Sequence, residues 1–183
     1  YDEAAIVSVD GFGDFVSTMW GVGQGRRLKI SRRVAFPHSL GLFYSGLSQY
    51  LGFPKFGDEY KVMGLAAYGE PDCLDAMRRV VMVNGNGSFE LGLDYFQHHT
   101  NGIAMTWVGE PGYERINSDH LSDLLGPARE PGAPMQDRFR AIAASVQAVF
   151  EEAYFAILDA AAKGSGGSRR VCIAGGCALN SLA

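Results

Sequence analysis

The sequence predicts an α/β domain, because apolar strands near both ends of the chain enclose a middle stretch of helical patterns. Residues 4–10 are a short β-branched run typical of a buried strand. Residues 15–22 and 28–36 are two further strand patterns after glycine-containing turns, which favours an antiparallel meander. Residues 170–174 form a last apolar strand before a glycine pair. At 183 residues, we expect one domain of ordinary size.

Helical patterns occupy most of the sequence between these strands. Ser39 is a helix-capping residue ahead of apolar positions at three- and four-residue spacing over residues 40–51. Shorter helices are expected over residues 58–67, 71–81 and about 119–125, and the longest over residues 134–163. Its apolar stripe fits a central helix packed on a sheet and contains Phe139, Ile142, Val146, Val149, Phe150, Ala153, Ile157 and Ala161.

Turns and loops separate the remaining elements. Asn84, Gly85, Asn86 and Gly87 predict a hairpin turn between short strands over residues 80–83 and 88–91. Residues 94–134 are the least patterned part of the chain, and their repeated glycines and prolines predict loops.

Composition and charge exclude several classes of protein. The net charge is −4 with both signs mixed along the chain, which argues against broad nucleic-acid binding. We find no apolar run approaching the roughly 20 residues of a membrane span and expect no membrane partner. The three cysteines have no CxxC spacing, so reduced thiols in a cytoplasmic protein are the simpler interpretation. The chain starts with Tyr and ends in an unfinished glycine turn, so we expect both ends to be truncated.

Asp10 and Asp14 flank a glycine-rich segment at the end of the first strand. One interpretation is a plain hairpin turn, since Asp-Gly is a preferred turn pair. The other is functional: Gly11 and Gly13 let the backbone approach a phosphate, while a carboxylate holds a metal or orients water.

His38 and Ser39 stand directly before the first predicted helix. His38 is either a structural histidine or, together with Ser39, part of an anion site, because free backbone N–H groups point outward at a helix N-terminus. His98 and His99 have no partner at metal-ligand spacing, and we expect both on the surface.

Glu59 and Lys61 form the next candidate cluster. They are either a solvated charge pair or a binding pair, in which Lys61 reaches a phosphate and Glu59 accepts hydrogen bonds from a ribose diol.

Gly175 and Gly176 follow the last strand and precede Asn180. The glycine pair is either a simple strand-to-helix turn or a place where a nucleotide lies flat against the backbone, with Asn180 contacting base or sugar. Cys177 suits a small buried hydrophobic position, and we do not assign it as a nucleophile.

Three segments together resemble the O-carbamoyltransferase family, the nodulation-type and antibiotic-tailoring enzymes that carbamoylate hydroxyl groups of small molecules. The segments are FPHSLGLFYSGLSQYLGFPKFGDEYKVMGLAAYGEP at residues 36–71, VDGFGD at 9–14 and AGGCALN at 174–180. The family's Gly-Glu-Tyr-Lys motif has an additional residue here, Asp58, and its Gly-Gly-x-Ala-Leu-Asn pattern has Cys177 at x.

The resemblance implies a fold and a set of site residues. The fold is the ribonuclease-H-like α/β fold of the actin, sugar-kinase and heat-shock ATPase superfamily, with residues 1–183 as part of one amino-terminal domain. The implied catalytic residues are Asp10 and His38. The implied cofactor-binding residues are Gly11, Asp14, Ser39, Glu59, Lys61, Gly175, Gly176 and Asn180.

The resemblance also implies a reaction and its partners. In complete members a separate carboxyl-terminal domain uses carbamoyl phosphate and ATP to make carbamoyladenylate, and the amino-terminal domain transfers the carbamoyl group to a small hydroxylated acceptor. A divalent metal, commonly iron, is held by an HxxxH motif and a later aspartate. None of the four histidines of this chain has that spacing, so we expect no metal ligand within it.

Two other functions remain open from the sequence. One is a sugar or acetate kinase of the same superfamily, although the Lys61 segment does not look like theirs. The other is a nucleotide-sensing or partner-binding module without turnover. An HxxxH motif in neighbouring sequence would favour the transferase.

Overall fold

The computed structural model describes residues 2–107 and 109–183, and an α/β arrangement accounts for them. Eight strands and six α-helices occur in these ranges. In chain order they are β1 (Glu3–Gly13), β2 (Val16–Gln24), β3 (Arg27–Ala35), α1 (Leu40–Tyr50), α2 (Glu59–Ala66), α3 (Leu74–Val80), β4 (Val81–Val83), β5 (Phe89–Leu91), α4 (His98–Asn101), β6 (Met105–Thr106), β7 (Gly112–Tyr113), α5 (His120–Leu125), α6 (Asp137–Gly164) and β8 (Val171–Ala174).

The largest sheet is mixed and four-stranded, with the strand order β3-β2-β1-β8. β1, β2 and β3 are antiparallel neighbours, and β8 runs parallel to β1 from the pair Ala5–Val171 to the pair Ser8–Ala174. The predicted meander and the predicted last strand are both confirmed. Because β8 is parallel to β1, the ends of these two strands lie at the same edge of the sheet.

The reversal between β1 and β2 lies further along the chain than the Asp10–Gly11 pair. β1 continues to Gly13, which pairs with Val16, and the two intervening residues have positive φ, 49° at Asp14 and 64° at Phe15. This is the geometry of a tight two-residue hairpin turn. The register shifts between Val9 and Gly13, so the segment around Asp10 is a bulge within the strand. The interpretation of Asp-Gly as the hairpin turn is therefore wrong.

α6 is the central helix of the core. Its 28 residues pack against α2, α3, β1 and β2, and its apolar stripe is buried there, as predicted. Among the described helices it is also the one long and apolar enough by composition to cross a membrane. Of its most apolar window, 61% is buried inside the fold, as in the core helix of a globular protein.

Each of the five predicted helices has a counterpart among the six α-helices, with shorter ends at α2 and α3 than expected, and α4 was not predicted. The Asn84–Gly87 segment joins β4 to β5, and the antiparallel pairing of these strands confirms the predicted hairpin. Within the loop-rich stretch, α4, α5 and the small β6–β7 pair form the regular structure.

The prediction that His98 lies on the surface is wrong. His98 is 1% exposed and lies between the rings of Phe36 and Phe96, at centroid distances of 5.7 and 5.5 Å. Its Nε2 is 2.9 Å from the carbonyl oxygen of Pro37. Phe36 and Pro37 come from a segment about 60 residues earlier in the chain, so the local pattern does not indicate the burial. His99, in contrast, is exposed as expected.

Candidate functional site

Three glycines bring α1 and the loop after β8 against the end of β1. A Cβ at Gly41 would lie 2.7 Å from the backbone nitrogen of Gly11, so a larger residue would push the first turn of α1 away. A Cβ at Gly175 would lie 2.1 Å from the carbonyl oxygen of Val9, and φ there is +91°. A Cβ at Gly176 would lie 3.1 Å from Asp10 Oδ1. Glycine at these positions therefore permits the close approach that forms the site.

A cleft of about 450 Å³ opens where these segments meet. Five of the residues predicted from the sequence line it. They are Asp10, Gly11, Glu59, Gly176 and Asn180. Its remaining walls come mainly from α1, from the segment before α2 and from Tyr113 of β7. The segments singled out by the sequence thus converge on one concave surface, of the size range of small-molecule sites.

Asp10 presents a carboxylate to this cleft from the bulge in β1. One oxygen, Oδ1, accepts a hydrogen bond from the backbone N–H of Gly11 at 2.8 Å. Ser39 supports the same segment from α1, because its Oγ donates to the carbonyl oxygen of Asp10 at 3.1 Å. Among the residues that the structure describes, Asp10 Oδ2 has no protein partner, so it is available to a ligand.

Glu59 and Lys61 are separated by the structure. Glu59 begins α2 and lines the cleft, where its Oε1 accepts a hydrogen bond from Ser45 Oγ at 2.5 Å. Lys61 lies outside the cleft wall, in an ion pair of 2.6 Å with the buried Asp58. That hydrogen bond raises the pKa of Lys61. The additional Asp58 therefore serves as the partner of the lysine.

The other predicted residues outside the cleft have structural contacts. His38 Nδ1 accepts the backbone N–H of Leu91 at 3.0 Å and so ties β5 to the start of α1. Ser39 caps α1 by accepting the N–H of Leu42 at 3.1 Å, as its position predicted. Asp14 lies at the exposed hairpin turn. Whether His38 or Asp14 contributes to catalysis or binding in the complete protein stays a prediction.

A buried amide network holds the Asn180 wall of the cleft. Asn180 and Gln147 of α6 exchange two hydrogen bonds, at 2.9 and 3.0 Å. Gln147 Oε1 also accepts the hydroxyl of Tyr44 at 2.8 Å, and its Nε2 donates to Glu151 at 2.8 Å. Burial raises the pKa of Tyr44 far above its ordinary value. The Asn180 carboxamide is therefore engaged by the protein itself.

The electrostatic environment of the cleft is negative. Burial raises the pKa of Cys177 to about 12, with Asp10 and Glu59 adding to the increase. Burial also raises the pKa of Tyr113, and the same two carboxylates contribute. Cys177 is therefore a protonated thiol at neutral pH, in agreement with its assignment as a packing residue. Asp10 and Glu59 thus both raise the pKa of Cys177 and the pKa of Tyr113.

Sequence reasoning missed several cleft residues. Ser45 and Tyr44 lie one turn after Gly41 on the inner face of α1, and a small or polar residue at this spacing in an apolar helix is a usable signal. Phe56 and Tyr60 stand at the rim, 54% and 64% exposed. Tyr113 comes from the unpatterned stretch, where nothing local marks it.

The described residues do not form a metal centre. Across residues 2–107 and 109–183, no three His, Cys, Asp or Glu side chains come together as ligands. By themselves these residues therefore do not complete a ligand set for the divalent metal implied by the resemblance, and no Lys, Arg or His occurs among the described residues that line the cleft.

By its structure, the chain is an α/β domain with a cleft near the end of β1 that is lined by two carboxylates, Asp10 and Glu59. The carbamoyltransferase N-terminus family matches it over residues 1–183, and the chain belongs to that family.

Curated relatives are similar over almost the whole chain. The uncharacterized protein sll1178 of Synechocystis sp. is 37% identical over 100% of the chain and 28% of its own length. The nodulation protein NolO of Bradyrhizobium diazoefficiens is 35% identical over 98% of the chain and 29% of its own length. The nodulation protein NolNO of Sinorhizobium fredii is 31% identical over 98% and 23%. The chain thus spans less than a third of these relatives.

Proposed function

We propose that this chain forms the transfer cleft of an O-carbamoyltransferase, which moves a carbamoyl group from carbamoyladenylate to a hydroxyl of a small-molecule acceptor. The observation that carries the proposal is the convergence of Asp10 and Glu59 on one cleft in a chain of the carbamoyltransferase N-terminus family. The antiparallel meander with β8 parallel to β1 supports the ribonuclease-H-like fold as part of the same proposal.

The cleft offers this reaction an acceptor for the hydroxyl proton. The alcohol oxygen forms a bond to the carbamoyl carbon, the bond from that carbon to the phosphate oxygen breaks, and AMP leaves. The alcohol must lose its proton in this step, and Asp10 Oδ2 is the group that we assign to accept or orient it. Glu59, fixed by Ser45, holds a second hydroxyl of the acceptor.

The donor comes from elsewhere in the complete protein. We propose that a carboxyl-terminal adenylate-forming domain uses carbamoyl phosphate and ATP to supply carbamoyladenylate to residues 1–183, in the cytoplasm. The greater length of the relatives leaves room for such a domain.

The test is a label-transfer assay with the complete protein. Radiolabelled carbamoyl phosphate, ATP and a panel of hydroxylated acceptors are incubated with it, and carbamoylated product and AMP are quantified. We expect product and AMP in equal amounts, and neither when ATP is omitted. Transfer of the ATP γ-phosphate to an acceptor would point to a kinase instead, and nucleotide binding without any turnover to a sensing module.

A further inference from the structure

The hydroxyl of Ser39 connects the start of α1 to the bulge that carries Asp10. Ser39 is the N-cap residue of α1, with extended backbone angles, and its relative exposure is 0%. Its Oγ accepts the backbone N–H of Leu42 at 3.1 Å and donates to the carbonyl oxygen of Asp10 at 3.1 Å. Because a hydroxyl has a single proton to donate, this proton is committed to Asp10 and none is left for a ligand.

The first turn of α1 also packs directly on the segment around Asp10. A Cβ at Gly41 would lie 2.7 Å from the backbone nitrogen of Gly11, whose N–H in turn donates to Asp10 Oδ1 at 2.8 Å. The position of this turn therefore sets the backbone from which the Asp10 carboxylate projects. Without the bond from Ser39, the carbonyl of Asp10 loses its link to α1, and Oδ2 can turn away from the cleft.

The segment that leads into α1 is itself held by three other elements. Ser17 Oγ in β2 donates to the carbonyl oxygen of His38 at 2.5 Å. In α4, His98 Nε2 is the donor to the carbonyl oxygen of Pro37 at 2.9 Å, because a carbonyl oxygen can only accept. In β5, the backbone N–H of Leu91 donates to His38 Nδ1 at 3.0 Å. The hydroxyl that contacts Asp10 therefore projects from a rigid support.

We propose that Ser39 is a positioning residue for Asp10: by holding the carbonyl oxygen of Asp10, its hydroxyl fixes the direction of the carboxylate that accepts or orients the proton of the acceptor alcohol. A misplacement of about 1 Å at a reacting group can cost about a hundredfold in rate. The inference rests on the proposed function and adds to it a residue that touches no ligand. It departs from the sequence expectation that Ser39 itself binds the cofactor.

Three substitutions in the complete protein separate positioning from helix capping. Ser39→Ala and Ser39→Gly both remove the hydroxyl, but glycine at an N-cap costs a helix much less than alanine does. We expect both variants to lower kcat about tenfold or more and to leave KM within about twofold of wild type. If only the cap mattered, the alanine variant would lose much more activity than the glycine variant. Ser39→Thr keeps a hydroxyl and should retain most of the activity.

Ser145 of α6 provides a matched control. Its relative exposure is also 0%, and its Oγ accepts the backbone N–H of Cys73 at 2.9 Å and donates to the carbonyl oxygen of Ala141 at 2.8 Å. The hydroxyl thus has the same two kinds of backbone partner as that of Ser39, but none of these residues lines the cleft. Ser145→Ala should lower the melting temperature about as much as Ser39→Ala and leave kcat unchanged.

Two further measurements ask whether Ser39 acts through Asp10. In a double-mutant cycle, adding Ser39→Gly to Asp10→Asn should change kcat by less than about twofold, because the carboxylate to be positioned is already gone. Amide hydrogen exchange at Gly11 should accelerate in Ser39→Gly and should not change in Ser145→Ala. The exchange measurement needs no catalytic activity.

Three results would overturn the proposal: a wild-type kcat in Ser39→Gly, losses of kcat that multiply independently in the cycle with Asp10→Asn, or unchanged exchange at Gly11. A variant that raises KM and leaves kcat unchanged would also contradict it, since that pattern indicates direct contact with a ligand. If Ser39→Ala does not fold, the glycine and threonine variants carry the test. A wild-type protein that never transfers carbamoyl groups refutes the proposed function, and the exchange at Gly11 then still decides whether Ser39 holds Asp10.

Discussion

At the scale of single residues, the structure assigns Asp10 to the cleft and not to the hairpin turn. Its carboxylate lies in a bulge of β1 at the cleft, while the hairpin turn is formed by Asp14 and Phe15. Asp10→Asn in the complete enzyme should keep the fold and lower kcat by at least about a hundredfold, because the acceptor of the hydroxyl proton is lost. Steady-state label transfer and circular dichroism measure the two effects.

Asp14→Asn is the matched control for that experiment. It removes the same charge four residues away, at an exposed turn where asparagine tolerates positive φ. We expect kcat within about twofold of wild type. Equal losses of kcat in both variants would show that the activity depends on the net charge near the turn and not on the position of Asp10.

Lys61 allows a second test at this scale. A lysine that contacts nucleotide phosphate would lower ATP affinity about tenfold or more when replaced by alanine. The ion pair with the buried Asp58 predicts a different outcome for Lys61→Ala: unchanged ATP affinity and a lower melting temperature, because Asp58 loses its cationic partner. Asp58→Asn in the same chain should restore part of the melting temperature. ATP affinity that falls in Lys61→Ala would support the sequence prediction.

At the scale of elements, the pair between Gln147 and Asn180 joins α6 to the turn that closes the cleft. Gln147→Leu removes the Gln147 Oε1 atom that accepts from the Tyr44 hydroxyl and from Asn180 Nδ2, and should cost roughly 2–4 kcal/mol of unfolding free energy. Amide hydrogen exchange should accelerate over residues 176–180 before it does elsewhere.

Gln24→Leu provides the comparison for the Gln147 variant. Gln24 is exposed, and among the described residues its side chain bonds to Glu3 alone, so the change should remain within about 0.5 kcal/mol. A double-mutant cycle of Gln147 with Asn180 should give a coupling of roughly 1–3 kcal/mol. Additive effects of the two changes would mean that the pair does not hold the turn.

The sequence predicted the elements better than it predicted the contacts between them. The meander, α1 and α6 follow from turn residues, a cap and a long apolar stripe, which are local signals. The position of the β1–β2 turn was missed because DGFGD contains two candidate turn pairs and only strand pairing chooses between them. The burial of His98 and the inclusion of Tyr113 in the cleft depend on distant segments, and so no local pattern encodes them.

At the scale of the whole molecule, His98 makes stability depend on pH. Burial lowers the pKa of His98 below its ordinary value of 6.5, although the contact with Pro37 opposes the shift and His99 and His38 add to it. Its buried Nδ1 has no hydrogen-bond partner among the described residues. The unfolded chain therefore binds a proton at higher pH than the folded chain does. The melting temperature should fall as pH decreases below about 6.5 and should not change from this group above it.

Two substitutions assign that pH dependence. His98→Gln keeps a donor towards Pro37 but does not titrate, so the fall of the melting temperature below about pH 6.5 should be smaller. His120→Gln changes an exposed histidine that does not contribute to the His98 shift and should leave the profile as in wild type. A profile unaffected by His98→Gln would assign the acid sensitivity to other groups.

The 183 residues by themselves should bind a ligand without catalysing the transfer. Asp10 and Glu59 converge on one cleft within these residues, so the purified chain should bind, in calorimetry, an acceptor that the complete protein carbamoylates. It should nevertheless give no carbamoyl transfer from carbamoyl phosphate and ATP, with or without added iron. The reason is that its described residues assemble no metal centre, and that it spans only 23% to 29% of its nodulation relatives. Binding without transfer would show that these residues recognise the ligand and that the reaction needs further parts of the complete protein. Turnover by the chain alone would show that the whole catalytic apparatus lies within these residues, and that the proposed division of labour with a second domain is wrong.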